Sequence, residues 1–198
     1  MKARSLREVH ADETRAVVLA SARRLFASQG YRATSIDQLA AEARVTKGAV
    51  YHHFDDKARV LASVYEQIAA ELEAALRAHI ARTADPVAKV SRAIEALLAA
   101  ADDVEIRVIL FREGPAVLAN ECRAIDERHF LGLIREVFDE LEAEGRLAAV
   151  DTALLSRLLL SVFIEASVIL GNARNVKQTR AGLARTLARL LDGVIVGR

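Results

Sequence analysis

A single cysteine, Cys122, in a chain of 198 residues leaves no internal disulfide to form, and proline and glycine are scarce at two and nine residues. The first scarcity argues against an oxidising compartment. The second, joined to a hydrophobic content of 53% dominated by Ala and Leu, points to an all-α globular chain. No apolar run follows Lys2, Arg4, Arg7 and Glu8, so no secretory signal is expected. The most apolar stretch, residues 154–171, is interrupted by Arg157 and Glu165 and falls short of an uninterrupted membrane-spanning helix. A soluble, cytoplasmic protein with no membrane partner is therefore expected. Also missing are a Gly-rich phosphate loop, a Ser nucleophile on a strand-turn-helix elbow, and any convergent set of acid, base and nucleophile. No enzyme, no cofactor and no metal are expected. Internal repeats, low-complexity tracts and long coiled-coil runs are lacking too.

What is present is unevenly charged. The formal net charge is only +1. Residues 1–61 nevertheless hold eleven Lys or Arg against seven Asp or Glu, a local excess of +4 that leaves −3 for the remainder. A modest excess of this kind supports a small phosphate footprint. Residues 1–11 lack helical periodicity and read as a flexible basic arm able to reach a minor groove. Asp12 then reads as the cap of a first long helix with Val18, Ala22, Leu25 and Phe26 on one stripe, closed by Gly30.

The stretch that organises the chain is residues 34–57, TSIDQLAAEARVTKGAVYHHFDDK. Thr34 reads as an N-cap with Asp37 three residues on, and Ile36, Leu39, Ala40 and Ala43 follow at helical spacing. Arg44 and Val45 turn the chain. Thr46 caps a second short helix, with Val45 and Val50 placed as a hydrophobic staple that sets its exit angle. Its outer face gathers Lys47, Gly48, Tyr51, His52 and His53, donors and rings around a glycine that weakens the helix but lets another surface come close. Two short helices so arranged suit a major groove, the second entering by its first residues.

In the run VTKGAVYHHFDDK, residues 45–57, and in GYRATSIDQLAAEA before it, the chain resembles the TetR family of bacterial transcriptional regulators. The resemblance implies an N-terminal three-helix helix-turn-helix DNA-binding domain, residues 12–58, and a C-terminal helical ligand-binding and dimerisation domain, residues 59–198. It implies that Lys47, Gly48, Ala49 and His52 face base edges, and that Thr34, Thr46, Tyr51, His53 and Lys57 hold phosphates of double-stranded DNA, with Ser35 in the same set. A twofold dimer would read a palindromic operator with half-site centres about 34 Å apart or more. The reading is of a sequence-specific regulator, a repressor released by a small apolar or amphipathic effector. The chain departs from the family pattern at Ala58 and Arg59, where acidic residues are usual.

Beyond Asp56, read as a cap, Leu61, Val64, Ile68, Leu72 and Leu76 predict a helix of about 25 residues that joins the two domains. Asp85-Pro86 starts the next helix; a short apolar helix is expected over residues 104–111, ended by Gly114-Pro115, and another over 116–144 closed by Gly145. Asp151 caps a helix that is apolar almost all round, and a last helix spans about 178–196. These two predict a four-helix dimer interface through Leu158, Val162, Ile169, Leu183, Leu187, Leu190, Leu191 and Val194. A ligand pocket is expected from Leu72, Phe111, Phe130 and Phe163 as walls, with Arg112, Glu113 and Glu165 as polar groups. One alternative is a metal- or thiol-responsive sensor, since Cys122, Asp126 and His129 stand at i, i+4 and i+7. The surrounding NECRAIDERH is dense in charge and reads as a solvated face.

Overall fold

A computed structural model describes residues 6–196, and among these the chain is built from helices with no β-strand. Helix α1 (Leu6–Ala33) bends at Gly30, whose φ of 83° and ψ of 166° leave helical space. Val18, Ala22 and Phe26 are fully buried along one face, as the period requires. Asp12 lies inside this helix and does not cap it. Residues 6–11 are helical and not an arm; the rest of the expected arm, residues 1–5, lies outside the described residues.

The short helices α2 (Ile36–Ala43) and α3 (Lys47–His53) fold onto α1, and α4 (Lys57–Ile80) runs from there into the rest of the chain. At 1.5 Å per residue its 24 residues span roughly 36 Å. Asp56 caps it through a bond from the Arg59 amide, so Ala58 and Arg59 do not disturb its start. Helix α5 (Pro86–Ala99) begins as expected, with Asp85 as cap and proline in the first turn.

The short apolar helix expected from residue 104 is present, but the break expected at Gly114-Pro115 is not. A 3-10 turn over Ala100–Asp102 leads into a π-helix over Ile106–Glu113 that passes straight into α6 (Gly114–Leu118). Proline in the first turn of α6 needs no amide there, so the residue that looks like a stop starts a helix instead. The actual break is Ala119, at φ 48° and ψ −114°. Helix α7 (Asn120–Ala143) ends at Gly145, whose φ of 67° lets Arg146 N–H reach the Leu141 carbonyl and its own N–H reach Glu142.

Helix α8 (Thr152–Gly171) is capped by Asp151, and α9 (Val176–Asp192) by Asn175, starting earlier and ending earlier than the sequence suggested. Contrary to expectation, α8 is long and apolar enough by composition to cross a membrane, with a mean hydropathy of 2.0. It packs on α7, the π-helix and α9, while 28% of its apolar window is buried. One continuous hydrophobic core links α1–α4 to α5–α9.

Two glycines let the π-helix sit deep in that core. A Cβ at Gly171 would stand 2.6 Å from the Phe111 carbonyl oxygen, and one at Gly114 would stand 2.3 Å from the Tyr65 ring. Backbone cannot retreat as a flexible side chain does, so Gly171→Ala should destabilise the chain by about 1–3 kcal/mol in urea unfolding. Gly132, which has nothing within 4 Å of a built Cβ, supplies the control. Gly132→Ala should be neutral or stabilise by up to about 1 kcal/mol.

Candidate nucleic-acid interface and interior cavity

The α2–α3 unit is fixed at both ends by its own side chains. Ser35, and not Thr34, is the N-cap of α2: its hydroxyl accepts from Gln38 N–H while the Gln38 side chain accepts from Ser35 N–H. Thr34 is buried at 1% exposure and donates its hydroxyl to the Gly30 carbonyl at the α1 kink, so that hydroxyl points away from any phosphate. Arg44 ends α2 in the left-handed region at φ 56°. Thr46 then caps α3 by accepting from Ala49 N–H, and Val50 is fully buried beneath it.

The opposite face of α3 is open. Lys47, Gly48, Tyr51 and His52 are exposed, Tyr51 at 48%, and Ala49 and His53 are half-buried. The Lys47 amine is held 2.9 Å from an Asp37 carboxylate oxygen, which raises its pKa. This aims the amine along the α2–α3 edge. His53 has its pKa lowered by burial and by the nearby His52 and Arg15. Gly48 has no left-handed φ, and an added Cβ would meet only the Thr46 hydroxyl at 3.9 Å. Nothing inside the subunit requires glycine at that position.

Lys57 was expected on a phosphate, and the structure employs it otherwise. Its amine donates to the Tyr31 and Thr34 carbonyls at 2.8 and 2.7 Å and stands 4.1 Å from the Tyr31 ring centre. Burial holds its pKa below the usual lysine value. It latches the start of α4 to the end of α1, leaving one N–H for anything outside.

A cavity of about 100 Å³ opens between α4, α5, the π-helix, α7 and α8. Leu72, Phe111, Phe130 and Phe163 line it as expected. Arg112 and Glu165 are exposed to water and do not. Glu113 is turned toward Gly30, its carboxylate 3.2 Å from where a Cβ would be. The polar groups on the wall are Tyr65, Asp126 and Ser167, none of them foreseen as pocket residues. The Tyr65 hydroxyl donates to Asp126 Oδ1 at 2.8 Å, and the Cys122 thiol faces Oδ2 at 3.8 Å. Burial raises the Asp126 pKa to about 6 against the opposing bond from Tyr65, and burial with the Asp126 charge pushes the Cys122 thiol up to about 12.

These values argue against the sensor alternative. A thiol held that high is unreactive. His129 does not join the cluster, because its two ring nitrogens meet Glu73 at 2.9 Å and Glu66 at 2.8 Å on α4. Among the described residues no group of three His, Cys, Asp or Glu could hold a metal ion. Burial lowers the His129 pKa, but the two carboxylates win and raise it. Protonated His129 therefore ties α7 to α4 fully below pH 6.5, and the tie is lost as pH rises through the raised value. The charge-dense segment is thus two-faced, with Cys122, Ile125 and Asp126 buried and its arginines outside.

On α8 and α9, Leu154, Leu158, Ile169 and Leu190 are exposed at 61, 66, 42 and 55%. Val162, Leu183 and Val194 are half-buried. Leu187 and Leu191 are not available for an interface, being 3% and 1% exposed inside the subunit core.

Comparison with known proteins gives two family matches. Residues 18–64 match the bacterial regulatory proteins of the tetR family, and residues 87–194 match the tetracyclin repressor-like C-terminal domain. The chain is 30% identical over 159 residues to the transposon Tn10 TetC protein of Escherichia coli, covering 80% of this chain and 79% of that protein. It shares 33% identity and a TM-score of 0.85 with the crystal structure of a TetR-family transcriptional regulator from Pectobacterium atrosepticum, over 98% of this chain and 99% of the other. The regulator FadR of Bacillus subtilis in complex with stearoyl-CoA has the same fold at a TM-score of 0.65 and 15% identity, over 87% and 96% of the two chains.

The raised Asp126 pKa has a measurable consequence for stability. The folded chain holds this proton more tightly than the unfolded one, so its contribution is complete below about pH 4 and drains away as pH climbs through 6. Asp126→Asn should therefore stabilise the protein by up to about 3 kcal/mol at pH 7.5. The gain, read by urea unfolding at fixed protein concentration, should shrink toward zero near pH 4.

Proposed function

Because the chain belongs to the TetR family of bacterial transcriptional regulators, we propose that it binds a palindromic operator as a homodimer, represses there, and is released by a small molecule. The observation that carries the DNA role is Gly48. It costs helix stability in a capped, exposed helix, while neither backbone conformation nor neighbouring atoms of the subunit demand it. The demand then lies in a surface outside the subunit that must approach the α3 backbone. Lys47 and His52 flank that point, with Thr46, Ala49, Tyr51 and His53 around it and Ser35 at the head of α2.

Lys47 and Gly48, with Ala49 and His52, are assigned to base edges; Thr46, Tyr51, His53 and the Ser35 end of α2 are assigned to the phosphates. Thr34 and Lys57 hold the α1–α4 junction behind them. Residues 12–58 are assigned as the reading unit and 59–198 as the controlling unit, a division of labour across one continuous core.

Dimerisation is assigned to the outer faces of α8 and α9, where Leu154, Leu158, Ile169 and Leu190 leave apolar area in water that a twofold mate would cover. Effector binding is assigned to the interior cavity. That a regulator of the same fold holds stearoyl-CoA supports a ligand role for this domain, although about 100 Å³ calls for a smaller molecule here.

Gly48→Ala should raise stability by up to about 1 kcal/mol and yet weaken operator binding, a combination that a merely solvated helix would not produce. Lys47→Ala should cost roughly 1–3 kcal/mol in operator affinity and relax preference at particular bases. Selection of bound genomic fragments checks both, and unchanged affinity and preference in both variants would sink the base-reading role. Leu158→Glu should leave a folded monomer by sedimentation equilibrium with its operator affinity lost; a surviving dimer would move the interface elsewhere.

A further inference from the structure

The cavity wall carries a chemical preference. Its lining is hydrocarbon and aromatic except at Tyr65, Asp126 and Ser167, and no Arg, Lys or His is among the residues that line it. Asp126 is 4% exposed, and Tyr65 satisfies only one of its two oxygens. The other faces a thiol at 3.8 Å, a weak donor at long range. The nearest cations are spent elsewhere: Arg123 bonds Glu127 and Ser161 outside, and His129 is held between Glu66 and Glu73. The Ser167 hydroxyl donates to the Phe163 carbonyl at 2.9 Å and so keeps acceptor capacity.

We propose that the effector is a small apolar amine, its ammonium donating to Asp126 and its hydrocarbon body packed against Phe111, Phe130 and Phe163. The proposal rests on the regulator reading above and names the ligand class of that site. Three arguments select the class. An ammonium supplies the opposite charge that a buried carboxylate lacks, and an aromatic lining tolerates a cation better than a purely aliphatic one. A carboxylate ligand would meet a like charge with no compensating cation in the lining, which disfavours it. A neutral alcohol can bond to Asp126 but leaves the charge in place. Size narrows the field too: about 100 Å³ is smaller than the roughly 150 Å³ of an apolar cavity that accepts benzene, so even a single ring requires the walls to give. One ring or a short chain is the expected scale, with the half-buried Phe130 and Phe163 as the adjustable walls.

Benzylamine, benzyl alcohol and benzoate share a shape and differ in charge, so calorimetry of the full-length protein with each separates the classes. Benzylamine should bind about tenfold or more tighter than benzyl alcohol, and benzoate should give no heat. Asp126→Asn, isosteric and checked for fold by circular dichroism, should lose at least about tenfold for the amine while the alcohol changes by less than about threefold. Benzoate or benzyl alcohol binding as well as the amine would overturn the proposal. So would an amine affinity indifferent to Asp126→Asn, or the failure of all three probes at millimolar concentration. A gel shift with the same preparations keeps the two readings apart. Selected DNA bound without amine preference defeats only the ligand class, whereas amine preference without any bound DNA defeats the regulator reading and leaves the site standing.

Discussion

A hydrogen bond of 2.8 Å between the Tyr65 hydroxyl and the Asp126 carboxylate, both buried, is the constraint on which the placement of α4, α7 and the π-helix depends. It joins the middle of α4 to the start of α7. Breaking it would leave a polar group stranded in hydrocarbon, so the two helices are held in one register more firmly than apolar contact alone would hold them. The Tyr65 ring then dictates its neighbours. Gly114 is the residue that can lie against it, and its close approach sets where the π-helix turns into α6. Phe111, three residues earlier, is thereby brought to the cavity wall beneath Gly171.

Around that bond the ion pairs are distributed along α4. Arg23 on α1 bonds Glu71 on α4 at 2.7 and 2.8 Å and also reaches Glu105 ahead of the π-helix, a three-way clamp from α1 to both. Farther along, His129 and Arg128 meet Glu66, and Arg77 meets Glu136. The more exposed of these pairs contribute little stability singly, but together with the part-buried bonds of His129 they restrict how α4 can slide against α7. The α1–α4 junction is closed separately by Lys57 on the Tyr31 and Thr34 carbonyls. Helix α4 is thus fastened to α1 at its first residue and again at Glu71, and to α7 at Glu66, Glu73 and Arg77.

What was legible in the sequence was what local chemistry decides. Thr46, Asp56, Asp85 and Asp151 cap the helices they were assigned, and Gly145 closes α7, because capping depends on a few adjacent residues. Thr34 and Ser35 are both competent caps, and the choice between them is set four residues upstream, by the Gly30 carbonyl at the α1 kink that takes the Thr34 hydroxyl. Gly114-Pro115 looked like a stop because two helix breakers adjoin; proline in a first turn and a glycine needed by Tyr65 make it a continuation. The aromatic cavity walls were readable as apolar positions. Asp126 was not, since a carboxylate among Arg123, Glu127 and Arg128 carries the local signature of a wet surface, and only the i, i+4 pairing with buried Cys122 marks the inner face. Leu187 and Leu191 failed for the converse reason: an apolar stripe does not say whether its cover belongs to the same subunit.

The same geometry limits how a ligand could act on DNA. A molecule in the cavity touches no residue of α2 or α3, so it shifts DNA affinity only by favouring one placement of α1 or α4 over another. Two elements reach from the wall toward α1. One is α4 itself, through Tyr65 and Leu72; the other is the π-helix, through Phe111 on the wall, Glu113 beside the Gly30 kink, and Glu105 before its start on Arg23. An occupant that displaces Phe111 works against the π-helix where Gly171 leaves the backbone no slack, and strain there has α1 as its neighbouring outlet. An occupant that engages Asp126 instead takes the oxygen that Tyr65 leaves open and so bears on the α4–α7 contact through the carboxylate that joins them. The second route needs a donor head and the first only bulk. In a cavity of about 100 Å³ bulk has little room to act, so a ligand of the proposed class would act on α4 chiefly through the chemistry at Asp126.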